Sequence, residues 1–348
     1  MKKRFFVTLV FLMMFSLLAA CSSSSTSSSG EGGSSKSSKS YNWTITSSFP
    51  AGHNMNGVLH QLKDELDQRT DGAIKMTIHE DTLGKPTEAW DMVKDNTVQM
   101  TYTAEGYNTS RMPVTNMIAL PFEVTDPATT LEVLKKWEKE GHLAELTDNF
   151  KVLGYVPISA SHLFLRDKKV EKMEDLKGLK IRAVSSTQAE TLSALGASGV
   201  TISGSEVYMS LDRGVIDGTL TGIDNIHDRK LYETADYALK LPLYEATFTL
   251  LMNKETWKSL SPELQETVQE AVDKVTAAEL KRVEEMDKEL WDKLEKEGLM
   301  EVYTLSEEEQ KRWHEATKNV AEKHAEELEK QGYPGKAALK SMREATGQ

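Results

Sequence analysis

An α/β fold in two lobes is what this sequence predicts, and three observations predict it. Strands and helices alternate from residue 41 to about residue 220, roughly 300 residues follow a polar leader, and the C-terminal third carries one long helical repeat. Alternating β and α elements build a mainly parallel sheet, and 300 ordered residues are more than one core usually serves. A helical run too long for one small lobe can then act as a spine shared by two.

The elements are justified in order from the N-terminus. Lys2, Lys3 and Arg4 precede an apolar run from Phe5 to Leu18, which is too short for a membrane span and is followed by a polar tract. That order is a secretory signal peptide, residues 1–20, so the chain is expected to leave the cytoplasm. Small residues Ala19 and Ala20 stand before Cys21, the single cysteine of the chain. This arrangement resembles a bacterial lipobox, in which the thiol is lipid-modified and the signal is cut just before it; the plain alternative is a signal peptide with a cysteine nearby by chance. Residues 21–40 are almost entirely Ser and Gly, which bury no apolar area and behave as a flexible leash spanning roughly 25 Å.

Residues 43–46 alternate like a strand, Phe49 to His53 form a turn-rich connection, and Val58, Leu59, Leu62 and Leu66 make the stripe of a helix over 54–69. Strands follow at 73–78 and 98–102, with a helix through Ala89, Trp90 and Val93 between them. In the middle of the chain, strands at 179–183, 200–202 and 215–220 enclose helices at 187–195 and 206–213, with Ser205 as an N-cap and Gly196 and Gly214 as stops. Ser261 and Pro262 open a helix whose apolar residues recur at helical spacing until Gly298, about 50 Å. Ser306 and Glu309 form a capping-box pattern for a last helix ending near Gly332 and Pro334.

Composition excludes several classes. The 42 Lys and Arg residues become 39 once Lys2, Lys3 and Arg4 leave with the signal; against 54 Asp and Glu, the formal net charge goes from −12 to −15. Such acidity argues against nucleic acid and against lying on an anionic membrane, leaving the lipid anchor as the sole membrane contact. No disulfide or thiolate chemistry is available beyond Cys21, and the eight histidines are scattered without metal-ligand spacing. No Gly-x-Ser-x-Gly or paired-acid setting suggests an enzyme, and neither a cofactor nor a metal is expected.

Residues 172–182, 194–197 and 205–218, with Leu83-Gly84, residues 92–100 and Leu120-Pro121-Phe122, are similar in the same order to the DctP-type solute-binding proteins of tripartite ATP-independent periplasmic (TRAP) transporters. The likeness covers nearly all of residues 43 to about 305. It implies a periplasmic-binding-protein-like fold with a hinge, a ligand cleft and a long helix spanning both lobes. Lobe I is expected to comprise 41–160 and about 247–286, and lobe II 161–246 and about 287–342. It also implies capture of a small carboxylate and delivery to the membrane subunits of an ion-gradient-driven permease; a ligand-sensing lipoprotein of the same fold, signalling to a membrane receptor, would need the same cleft.

The site residues follow from strand ends and from this resemblance. Arg182 lies near the end of a strand, where ligands approach open α/β sheets; taken alone, a strand arginine is more often an ion-paired or surface residue. By resemblance it is the arginine of the Lys-Ile-Arg motif that pairs with the ligand carboxylate, as a planar, permanently charged fork can. His53 either donates to the ligand or is a solvent-facing loop residue. Glu105 and Tyr107 fall on the presumed cleft side, Tyr107 either packing on the ligand or serving as ordinary core, and Tyr208 reads as core. Gly204 and Thr221 stand where sialic-acid-binding members carry a phenylalanine and an asparagine, against a sialic acid ligand, and Asp224 is a candidate to hold a polar or cationic part of the ligand.

Overall fold

The computed structural model describes residues 40–348. The signal peptide, Cys21 and the leash up to residue 39 lie outside the described residues. Eleven strands make two sheets: β1 (Tyr41–Ser47), β2 (Ile74–Glu80), β3 (Met100–Ala104), β4 (Phe150–Pro157), β5 (Ser161–Leu165), β6 (Lys180–Ala183), β7 (Ser198–Thr201), β8 (Gly218–Thr221), β9 (Tyr237–Tyr244), β10 (Thr247–Asn253) and β11 (Glu301–Tyr303). The first sheet runs β2-β1-β3-β10-β4 and the second β11-β9-β5-β8-β6-β7.

Both sheets are mixed rather than mainly parallel. β1 pairs parallel with β2 and β3, and β6 with β7 and β8, but β10 and β5 each run antiparallel to both of their neighbours. The exceptions have a structural cause. Strand β4 leads into β5 through residues 158–160, and β9 leads into β10 through Glu245 and Ala246, so each sheet receives one strand that has crossed from the other. The register pairs Pro157 with Thr247 and Ser161 with Tyr244, leaving two short connections side by side as a hinge. All residues of β3, β5, β8 and β10 are buried, as expected for strands covered on both faces.

The helix Pro262–Lys296 is the spine the sequence predicted. Ser261 accepts from the Leu264 N–H at 3.3 Å and Pro262 fills the first turn. Its first half buries Val268, Ala271, Val272 and Val275 with the first sheet's core, and its second half buries Trp291 and Leu294 with Phe164 and Ile226 of the second. At mid-helix, Glu279 is 2% exposed and meets Arg282 through two hydrogen bonds of 2.6 and 2.7 Å.

The C-terminus departs from the expected division. Glu307–Lys330 begins on the second lobe, with Trp313 beside Leu305 and Leu176. Its later residues Val320, Ala321, Ala325 and Leu328 join the first lobe's core, and a further helix, Gly335–Thr346, packs on Pro127–Glu140. Trp137 donates to the Ala338 carbonyl at 2.9 Å, and Arg343 grips Glu123 at 2.6 and 3.0 Å. Residues 320–342, placed with lobe II from sequence, thus lie against lobe I, because helical spacing reveals a buried stripe but not the core it covers. The capping at Ser306 also changes: its hydroxyl accepts from the Glu309 N–H, while the Glu309 carboxylate accepts from the Met173 N–H at 2.6 Å instead of returning to the cap. Ser205 does not cap its helix either; its hydroxyl meets that of Ser203 at 3.0 Å.

Candidate functional site

Between the sheets lies a cavity of about 80 Å³ with both lobes in its walls. Its polar floor begins at β6. Arg182 is 5% exposed, and its guanidinium lies across the carboxyl ends of the neighbouring strands, Nε donating to the Ile202 carbonyl at 3.0 Å and Nη1 to that of Leu220 at 3.4 Å. These bonds engage two of its five N–H groups and leave Nη2 free of protein partners. No acidic side chain counters its charge: burial lowers the guanidinium pKa, Tyr107 and Tyr244 oppose the shift, and Arg229 adds to it. An interior cation without a carboxylate is costly unless something anionic arrives.

The other expected residues divide into lining and backing. Glu105, Tyr107, Thr221 and Asp224 line the cavity. Glu105 is 2% exposed and accepts from the Thr247 N–H at 3.4 Å; burial pushes its carboxyl up to about 8, so it is neutral at pH 7. Burial likewise raises Asp224, to about 6, with Asn225 donating to it at 3.2 Å. Tyr107 packs with the first lobe's core as well as facing the cavity.

His53 is not among the lining residues, nor does it face solvent. Its Nδ1 accepts from the Met55 N–H at 3.3 Å, capping a short turn, and its ring stacks at 4.4 Å on Phe49, which does line the cavity. Burial lowers its pKa to about 4, so the 3.5 Å approach to Asp228 is that of a neutral ring. Tyr208 packs half-buried against the second lobe's core, as expected, with its hydroxyl donating to Glu233 at 2.8 Å.

Sequence reasoning missed several lining groups. Phe49 and Phe248, with ring centroids 4.7 Å apart, give the cavity an aromatic wall. Asn116 donates to Thr187 at 2.7 Å, tying a turn of the first lobe to a helix of the second. Arg229 lines the cavity from the end of the helix Ile223–Asp228. No local pattern marks these positions, which converge only through the fold. Behind the cavity, at the hinge, Ser159 donates to Asp287 at 2.5 Å, and Glu245 is fully buried with neither carboxyl oxygen partnered. Burial and then Asp287 hold Glu245 well above the usual carboxylate range. Among the described residues no group of three or more His, Cys, Asp or Glu stands together as a metal site, and no helix is long and apolar enough to cross a membrane.

Two α/β lobes on a paired-strand hinge, holding a cavity with a buried, uncountered arginine, make a two-lobe solute-binding protein. The family described as "Bacterial extracellular solute-binding protein, family 7" (DctP) matches residues 45–328, and the chain belongs to it; its members are transport binding proteins, not enzymes. The C4-dicarboxylate-binding protein DctB of Bacillus subtilis is 23% identical over 261 residues, 73% of each chain. A marine-metagenome TRAP solute-binding protein specific for aromatic acids superimposes with a TM-score of 0.81 at 23% identity, covering 88% of this chain and 98% of that one. A TRAP protein from Bordetella bronchiseptica with bound mandelate gives 0.78 at 24% identity, covering 87% and 98%. These structures share the two-lobe fold.

Proposed function

We propose that this chain is an extracytoplasmic solute-binding lipoprotein that captures a small organic carboxylate between its lobes and delivers it to an ion-gradient-driven TRAP permease. The buried guanidinium of Arg182, with two of its N–H groups bound to carbonyls and no carboxylate of its own, carries the reading. A ligand carboxylate supplies the missing charge through two parallel hydrogen bonds. Neutral Glu105 can donate to a ligand carbonyl or hydroxyl, Thr221 and Asp224 offer further polar contacts, and Tyr107 with Phe49 packs against the carbon skeleton. His53 acts through Phe49. The carboxylates named for the relatives, C4-dicarboxylates, aromatic acids and mandelate, support the class. Cys21 carries the lipid anchor in this reading.

A thermal-shift screen of organic acids tests it. A ligand at 100 times its Kd stabilises the native state by about 2.7 kcal/mol. Stabilisation by at least one carboxylate, lost in Arg182→Ala, is the expected result; silence to every acid with a response to neutral or cationic compounds would overturn it. For the anchor, Cys21→Ser should move the protein from the membrane to the soluble fraction with its ligand affinity intact, and a variant that stays with the membrane would refute lipidation.

A further inference from the structure

We propose that Arg229 is a second anion-holding residue of the cleft, and that the ligand is an organic acid with two anionic groups, one on Arg182 and one on Arg229. The inference rests on the carboxylate reading above and narrows it. Arg229 is half-buried and follows directly on the helix Ile223–Asp228. Its Nε donates to the Asn225 side chain at 3.2 Å, which fixes one edge of the fork. Its Nη2 lies against Gly204: a Cβ at 204 would stand 3.3 Å from Nη2 and 3.5 Å from Cζ. A larger side chain there would take the volume the guanidinium now fills, so the bare backbone of Gly204 is what admits Arg229 to the cavity.

Arg229 has three acids within five residues in sequence and is paired with none; Glu233 accepts from Tyr208 at 2.8 Å. Asp228 is turned to His53 at 3.5 Å, and Asp224 is turned to the Asn225 amide at 3.2 Å, its charge felt by Arg282 and Asp287 on the long helix. Among the described residues every other arginine except Arg182 and the exposed Arg213 stands within 4.0 Å of a carboxylate. The two lining this cavity therefore differ from the six ion-paired arginines in the same way, and they are close enough for the Arg229 charge to act on Arg182. One carboxylate neutralises one of them. A second anionic group at the far end of the ligand neutralises the other and removes their mutual repulsion.

Calorimetric titration with matched pairs tests this: succinate against succinamate, glutarate against glutaramate, and isophthalate against its monoamide. Each pair keeps shape and one carboxylate while removing the second charge. The diacid of at least one pair should bind more than tenfold tighter than its half-amide. Arg229→Gln should erase that preference, bringing the affinities of a diacid and its half-amide to within about threefold of each other. Gly204→Phe, at a position whose backbone strains no side chain, should displace Arg229 and erase it too. Arg182→Ala should weaken both members of a pair. Half-amides that bind as tightly as the diacids in every pair, or a diacid preference that survives Arg229→Gln, would overturn the second anion site while leaving a carboxylate-binding cleft. Failure of all these acids and half-amides to bind would overturn the carboxylate reading and this inference with it.

Discussion

Arg282 on the long helix is half-buried and Arg182 at the cleft is buried, yet only Arg282 has its carboxylate. Glu279, one turn earlier on the same helix, closes a two-bond pair with it at 2.6 and 2.7 Å, and that pair belongs to the spine joining the lobes. Arg182 has two backbone carbonyls and two tyrosines for company. A guanidinium satisfied within the protein stabilises the structure it sits in; one left without a counter-charge is held ready for a partner from outside. On the proposed reading the same chemical group is structural in one place and receptive in the other, and the neighbouring carboxylate makes the difference.

Substitutions can break that comparison. Glu279→Ala removes the carboxylate that pairs with Arg282 in the spine and should destabilise the fold by about 2 kcal/mol, read by chemical denaturation, with acid affinity nearly unchanged. Arg182→Ala should do the reverse. Affinity for the best acid falls more than tenfold, about 2 kcal/mol, while the ligand-free protein loses no stability, since an uncountered interior charge has been removed. Equal losses of stability in the two variants would erase the distinction.

A pH series sharpens it further. Glu105 rises from 4.5 to about 8 on folding, so between those values the folded protein holds a proton that the unfolded chain has released, and stability falls as pH rises through the window. Glu245 acts in the same direction. Glu105→Gln should flatten this fall and gain stability relative to the parent at pH 8. Acid affinity of the parent should drop above pH 8, where ionised Glu105 repels the bound carboxylate, and stay level in Glu105→Gln; parallel profiles for the two proteins would remove Glu105 from the cavity's charge balance. The smallest effect belongs to His53→Ala, which loses a turn cap and should cost about 1 kcal/mol of stability with affinity within threefold, because Phe49 separates the ring from the cavity.

Much of this was legible in the sequence because it was local. The stripe from Val268 to Leu294 gave the spine, with Ser261 and Pro262 marking its start, and the short strand before Val184 put Arg182 near the carboxyl end of a strand. Long-range pairing was not legible. Nothing in the residues of β5 or β10 states that they run antiparallel, since direction is set by the chain crossing between lobes. His53 sits in a turn that reads as exposed, and its burial depends on Phe49 and on Asp228 more than 170 residues away. Arg229 was missed for a related reason: Gly204 was read as the loss of a phenylalanine, while the structure shows what the vacated volume holds.

The most direct test of Arg182 as the receptive cation is a crystal structure with the tightest-binding acid from the screen. The expected result is a ligand carboxylate with both oxygens about 2.7–2.9 Å from the free N–H groups of Arg182, and the bonds to Ile202 and Leu220 unchanged. A carboxylate bound elsewhere in the cavity, with Arg182 still lacking an anionic partner, would contradict it.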